Sequence, residues 1–459
     1  MSVVRSQYSV TVPATGLLSY IFESLGRRAC GYSIDQIKSL FKSLGNGLHH
    51  LRARGKRVMV YGEANIQFVT AVLVILAAGA EVNFLVTSPP EYLVSRIRQL
   101  KCDIVLLSPE QADIEAMLDA AGVLGIPHER LFHCTGLPSK YARRWFIEWP
   151  RLSPDETKST TAVLLYTSGT TGTPKLACRT HYGLVGNIAQ ALNHYTFRPR
   201  CKEIVSYNYK FAGIGFLLLG IMIPLKARYK SIFPARLDLI TFAAIVDRFK
   251  PTWVMAPPHL MRATLAMPAT LDFGSVKHVL TGGSFVSWKL VQSTYGMTEA
   301  DTTTGILLPN AEAKILDERG VYIRTPFVMK GYLDEPTHTA QTVGEDGWIN
   351  TGAILDGLMN GEWITQDLFK IRGDQITGSE IETAVSRHPG VRVVAVIPVV
   401  LPAEYPPRMQ LTGGAVFTDA IPISNLIGNS KVDRRELSEL AGRELQLACM
   451  EVRSSQVEA

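Results

Sequence analysis

The chain has 459 residues, 46% of them hydrophobic and 19% charged, and a net charge of +6; this leaves room for two or three domains with a large core and excludes a disordered or fibrous chain. Lysines and arginines are scattered, and Arg143-Arg144 and Arg434-Arg435 are only short pairs, so no nucleic-acid surface is expected. Six cysteines (Cys30, Cys102, Cys134, Cys178, Cys201, Cys449) lie far apart without a CxxC, which argues for reduced thiols and against a zinc site.

In chain order, the first third alternates strand and helix signals. Arg57 to Tyr61 reads as a strand, Asn65 to Ala78 as a helix, Glu81 to Val86 as a strand and Pro90 to Gln99 as a helix with proline in its first turn. Asp103 to Leu107 is a buried strand, and Ala112 to Ala121 a helix. The pattern resumes with a strand at Ala162 to Tyr166 and a helix at His181 to Leu192. A helix at Leu237 to Phe249, stopped by Pro251, precedes strands at Thr252 to Ala256 and Val276 to Leu280. Strands and helices alternating at these lengths imply an α/β fold, with parallel-rich sheets flanked by helices.

A boundary is expected near Gly361 to Gln366, giving domains over residues 1–362 and 363–459. The second reads as a small α+β unit, with helices at Ser379 to Arg387 and from Asp433, and strands at Val391 to Val400 and Gly414 to Thr418. The apolar stretches Phe68 to Ala80 and Phe211 to Leu225 are too short to span a membrane. No basic-then-apolar leader is apparent, and the last residues are QVEA rather than an SKL-type address, so a cytoplasmic location is expected.

The densest chemistry lies at residues 161–175, TAVLLYTSGTTGTPK, where an apolar run breaks into a Gly/Ser/Thr loop ending in lysine. Thr167, Ser168, Gly169, Thr170, Thr171 and Gly172 offer hydroxyls and unhindered N–H groups, and Lys175 adds a mobile charge. Such a loop can wrap a polyphosphate. It is not a Walker A loop, because Pro174 precedes the lysine and Leu176 follows it. Further motifs follow in order: TGG at Thr281 to Gly283, TYGMTEA at Thr294 to Ala300, MKGYL at Met329 to Leu333 and GWINTG at Gly347 to Gly352. KIRGDQITGSEIE at Lys370 to Glu382 and KVDRREL at Lys431 to Leu437 complete the set.

This ordered set resembles the adenylate-forming superfamily of acyl- and aryl-CoA synthetases (4-coumarate–CoA ligase-like), firefly-type luciferases and nonribosomal adenylation domains. The resemblance covers nearly the whole chain. It implies attack of a carboxylate on the α-phosphate of ATP, with Mg²⁺, and then transfer of the acyl group to CoA. It also implies that the C-terminal domain moves as a lid. Carried over residue by residue, the loop from Thr167 to Lys175 holds the β- and γ-phosphates, Thr298 contacts the α-phosphate and Glu299 ligates Mg²⁺. Tyr295 and Gly296 line the adenine and acyl sites. Lys431 matches the lysine that reaches the reacting oxygens when the lid closes, with a helix-capping surface lysine as the alternative. Gly373 matches the thiol tunnel, and Gly282 and Gly283 fall at the acyl site. Lys210 and Phe211 fall where such ligases carry substrate-facing residues. Lys210 either meets a polar group of the acid or extends to solvent.

Departures from the pattern are as informative. Ala353 follows Gly352 where the family places a ribose-binding aspartate, and Asp356 is three residues further on. Ser430 replaces the usual glycine before Lys431. Residues 284–294 leave little space for both a helix and a strand. The stretch Trp363 to Asp367 lacks the family's Asp-Arg hinge pair, and the stretch between Arg319 and Tyr322 lacks its GE loop. Three functions remain open: an acyl-CoA ligase for a small carboxylic acid in specialised metabolism, an adenylating domain that loads a carrier protein, and a nucleotide-binding pseudoenzyme.

Overall fold

The computed structural model describes residues 3–5, 9–22, 48–49, 51–63, 66–86, 90–107, 110–133, 150–167, 175–193, 202–209, 213–234, 237–257, 260–261, 264, 271–282, 292–300, 302–303, 307–315, 320–359, 362–365, 368–371, 374–377, 423–424 and 431–432. The chain divides into two compact units, the division in the main chain falling between Gly352 and Ala353.

In the first unit the early elements are β1 (Val3–Arg5), α1 (Leu17–Phe22), β2 (Arg57–Tyr61), α2 (Ile66–Ala77) and β3 (Glu81–Leu85). They continue as α3 (Pro90–Leu100), β4 (Ile104–Leu107), α4 (Gln111–Leu124), β5 (Leu131–His133), α5 (Pro154–Ser159), β6 (Thr161–Tyr166) and β7 (Leu176–Thr180). A seven-stranded sheet runs β16-β7-β6-β3-β2-β4-β5, where β16 is Gly331–Tyr332. Its β6-β3-β2-β4-β5 part is parallel, while β7 returns antiparallel beside β6.

Both faces of this sheet are covered, which is why its strands are mostly continuous apolar runs rather than alternating ones. Val58 and Val60 of β2 pack with the α2 residues Val72, Leu73 and Ile75. Met59 and Tyr61, pointing the other way, pack with Leu93 and Ile97 of α3 and Met117 of α4.

The expected strands and helices of this region are present. The fourth helix runs on to Leu124, beyond the expected end at Ala121, because it tolerates Gly122 and closes instead at Gly125 in the left-handed region, φ 65°. Helix α5 was not anticipated, although Ser153-Pro154-Asp155-Glu156 spells its start: Ser153 and Glu156 form a reciprocal capping box.

A second, six-stranded sheet follows from α6 (His181–Asn193), β8 (Ile204–Tyr207), β9 (Lys230–Ile232), α8 (Leu239–Phe249), β10 (Trp253–Met255), β11 (His278–Gly282), β12 (Gln292–Gly296) and β13 (Thr302–Thr303). The segment 213–227, here α7, is helical throughout, with a π-helical centre at Phe216–Met222. It accounts for an apolar stretch noted in the sequence: nearly every residue of the π segment is buried. The sheet order is β13-β12-β11-β10-β8-β9, parallel except for the final antiparallel β12-β13 pair. β12 occupies the end of the short segment questioned above, and residues 283–291 lie outside the described residues. A third sheet joins β1 to β14 (Glu312–Ile315), β15 (Gly320–Arg324) and the first part of β17 (Trp348–Met359). A short helix, α9 (Pro336–Thr342), lies between β16 and β17.

In the second unit, the later half of β17 pairs antiparallel with β18 (Glu362–Thr365), Met359 facing Glu362. The intervening sequence is Asn360-Gly361, the residue pair that favours a two-residue hairpin. β19 (Leu368–Ile371) and β20 (Asp374–Thr377) form a second hairpin, and β21 (Ile423–Ser424) pairs with β22 (Lys431–Val432). The helices expected at Ser379 to Arg387 and from Asp433, and the strands expected at Val391 to Val400 and Gly414 to Thr418, lie outside the described residues. Among the described residues, no helix is long and apolar enough to cross a membrane.

Candidate active site

The phosphate-loop motif is carried by the β6–β7 hairpin, and its base is closed. The Thr167 N–H donates to the Lys175 carbonyl at 2.8 Å, and the Lys175 N–H donates back to Thr167 Oγ1 at 3.3 Å. Thr167 is buried and Lys175 half-buried. Ser168, Gly169, Thr170, Thr171 and Gly172 lie outside the described residues.

Beside this base runs the MKGYL segment. Gly331 and Tyr332 pair antiparallel with Cys178 and Ala177 of β7, and the N–H groups of Lys330 and Leu333 donate to the carbonyls of Cys178 and Leu176, each at 2.8 Å. Sheet pairing therefore sets the Tyr332 ring under the end of the loop, where Lys175 Nζ lies 5.5 Å from its centroid. The hydroxyl of that ring leads to Glu299. The Tyr332 hydroxyl donates to Glu299 Oε1 at 2.6 Å, and the Met329 N–H donates to the Glu299 carbonyl at 2.7 Å. Burial, and then the neighbouring Glu299 carboxylate, raise the Tyr332 phenol above its ordinary range, so it stays protonated and remains the donor.

Glu299 is itself buried, 8% exposed, just beyond β12. Thr298, half-buried, precedes it. Tyr295 and Gly296 end β12, paired with Thr303 and Thr302, and Gly282 ends β11, paired in parallel with Thr294. These positions share one edge of the second sheet, the carboxyl ends of its parallel strands, where open α/β sheets take their ligands. Tyr209, just past β8, reaches the same edge: its hydroxyl and that of Thr281 both donate to the Ala256 carbonyl, at 2.9 and 2.8 Å. Tyr207 stands 5.8 Å from both Tyr209 and Phe233, and 6.1 Å from Phe216, ring centre to ring centre. Lys210 and Phe211, next in sequence, lie outside the described residues, as do Gly283 and Gly373. Lys431 belongs to the second unit, where it is paired with Ser424 in the β21–β22 ladder.

Arg179 went unnoticed in the sequence. It is fully buried on β7, and its guanidinium donates to the carbonyls of Thr298 and Ala300, each at 3.2 Å, to the Phe327 carbonyl at 2.9 Å and to the Asn187 side chain. A lone arginine in the apolar run Leu176-Ala177-Cys178-Arg179 was the available signal, because arginine is almost never fully buried without partners.

The donor set suits one hard divalent cation bound together with a polyphosphate. Mg²⁺ takes one or two carboxylates and completes its shell with phosphate oxygens and water. Glu299 presents such a carboxylate, and among the described residues Oε2 has no protein donor while Oε1 is held by Tyr332. Among the described residues, no cluster of three acidic, His or Cys side chains provides an all-protein metal cage.

The model of the family described as "AMP-binding enzyme" matches residues 27–333. A "4-coumarate–CoA ligase-like 4" of Oryza sativa subsp. japonica is 27% identical over 293 residues, 53% of this chain and 52% of that protein. The chain thus spans about half the length of that relative. The phenylacetyl-CoA ligase epaB of Aspergillus niger is 26% identical, with 91% of this chain and 96% of the relative covered. Its 526 aligned positions outnumber the residues of this chain, so stretches of it face gaps here. The solved anthranilate CoA ligase AuaEII in complex with anthranoyl-AMP superposes with a TM-score of 0.78 at 16% identity, covering 95% of this chain and 99% of that one, a likeness of fold. With the family model matched over most of the chain and the loop base, Glu299 and the strand-end edge assembled in one unit, this chain belongs to the AMP-binding enzyme family.

Proposed function

We propose that the protein activates a small carboxylic acid with ATP to an acyl-adenylate and pyrophosphate and transfers the acyl group to CoA, in specialised metabolism. The observation that carries this reading is that Tyr332 contacts both Lys175, at its ring, and Glu299, at its hydroxyl. A cation that ends a polyphosphate loop and a buried carboxylate are brought together from motifs more than a hundred residues apart. In-line displacement at phosphorus needs such positioning and charge neutralisation rather than a covalent protein group. Bound Mg²⁺ would supply Lewis-acid neutralisation of phosphate charge. Lys175 and the loop orient the outer phosphates, Thr298 the α-phosphate, and Glu299 takes the cation. Residues 363–459 act as the lid that delivers Lys431, with Gly373 lining the path of the thiol.

The acid is aromatic on this reading. Support comes from relatives named for coumarate, phenylacetate and anthranilate.

ATP–pyrophosphate exchange across a panel of aryl and aliphatic acids tests the first half-reaction, and CoA-thioester formation the second. Exchange without thioester would redirect the acyl group to a carrier protein. A second reading, nucleotide binding without turnover, is favoured by Ala353 at the ribose position; exchange with any acid in the panel would rule it out.

A further inference from the structure

We infer that Tyr332 and Arg179 are positioning residues that hold Glu299 preset for a cation-bound polyphosphate, a role that rests on the proposal that this site takes ATP. Three groups fix the Glu299 segment independently. Arg179 grips the carbonyls on either side of it, those of Thr298 and Ala300. The Met329 N–H holds its own carbonyl. The Tyr332 hydroxyl holds Oε1 at 2.6 Å. Main chain and side chain are thus set from two neighbouring strands, β7 and β16, that also frame the base of the phosphate loop.

The arrangement makes chemical sense for a ligand and little sense for packing alone. A neutral phenol that donates to one carboxylate oxygen orients the group and leaves its negative charge intact, whereas a lysine or arginine in that place would compete with a metal. The second oxygen, without a protein donor among the described residues, keeps its lone pairs for a hard cation. Burying an arginine is a costly way to fill a strand position, but the two terminal nitrogens of its planar fork are suited to bridging several acceptors at once, here the Thr298, Ala300 and Phe327 carbonyls. Second-layer groups of this kind commonly change metal affinity by about 10–100-fold when removed.

The test uses the full chain as wild type, Tyr332→Phe and Arg179→Lys, with ATP titrated calorimetrically in Mn²⁺ and again in EDTA. The expected result is that Tyr332→Phe weakens ATP binding in Mn²⁺ by roughly tenfold or more while binding in EDTA stays within about twofold of wild type. Arg179→Lys, which keeps the charge and loses the fork, shows the same split and covers the case in which the phenylalanine variant fails to fold. Equal losses in Mn²⁺ and EDTA, or no loss in either, would overturn the positioning role and leave the ATP reading standing. Wild type that shows no ATP binding in Mn²⁺ would overturn both.

Discussion

His181 opens α6 with a largely buried imidazole whose Nδ1 accepts the Leu17 N–H at 3.3 Å, so the ring is neutral with its proton on Nε2. Burial lowers its pKa from 6.5 to about 4. Because the unfolded chain binds this proton at higher pH than the folded one, the histidine's contribution is complete above pH 6.5 and is lost as pH falls towards 4. The shift corresponds to about 3 kcal/mol of stability across that window. His181→Gln, which keeps an acceptor for Leu17 and cannot titrate, is expected to flatten the fall in urea-unfolding stability between these pH values; parallel profiles would show that the burial has no such consequence. Individual residues differ in how readily the sequence reveals them. Lys175, Thr298 and Glu299 stand in motifs with a spelling of their own. Arg179 does not, because its role depends on main-chain carbonyls 119 to 148 positions away in the chain.

At the scale of elements, packing decides what propensity alone would misjudge. Helix α6 carries Gly186 in its buried face, where a glycine ordinarily costs about 1 kcal/mol relative to alanine. Here a Cβ would lie 2.1 to 2.5 Å from the Phe327 ring, which rests directly on the helix backbone. Gly186→Ala is therefore expected to destabilise the protein by about 1–3 kcal/mol in spite of its helix preference. It should also disturb nucleotide binding, since the Phe327 carbonyl is one of the Arg179 acceptors. Denaturant midpoints and ATP titrations of the variant check both, and a gain in stability would mean that Phe327 yields freely. The regular elements were legible because the parallel strands are mostly continuous apolar runs and the helices between them have clear stops. Helix α7 was not: its run Phe216-Leu217-Leu218-Leu219 has neither helix nor strand periodicity, as expected of a buried segment wound with π geometry.

At the scale of the whole molecule, the chain retains the polyphosphate end of the motif set more completely than the ribose end. The loop base, Glu299 and their supports are assembled within the first unit. Ala353 stands on β17, immediately after the division between the units, where the resembled motif has an aspartate. What sequence alone could not supply is the pairing of β16 with β7, which brings Tyr332 to Glu299: short two-residue ladders leave no periodic trace. A carboxylate that accepts hydrogen bonds from a ribose is worth about 1.5–3 kcal/mol per bond. Ala353→Asp is accordingly expected to tighten ATP binding by roughly ten- to a hundredfold, and to raise the thermal midpoint at a fixed subsaturating ATP concentration while leaving the ATP-free midpoint unchanged. The restored group acts on the sugar and not on the phosphates, so the gain should be the same for ATP and AMP. It should be absent for a pyrophosphate probe, which on the proposed function draws only on the loop, Lys175 and Glu299. A variant that tightens none of these ligands would mean that the ribose is held by other residues of this chain, and the loss of the aspartate would then mark a rebuilt site rather than a failing one.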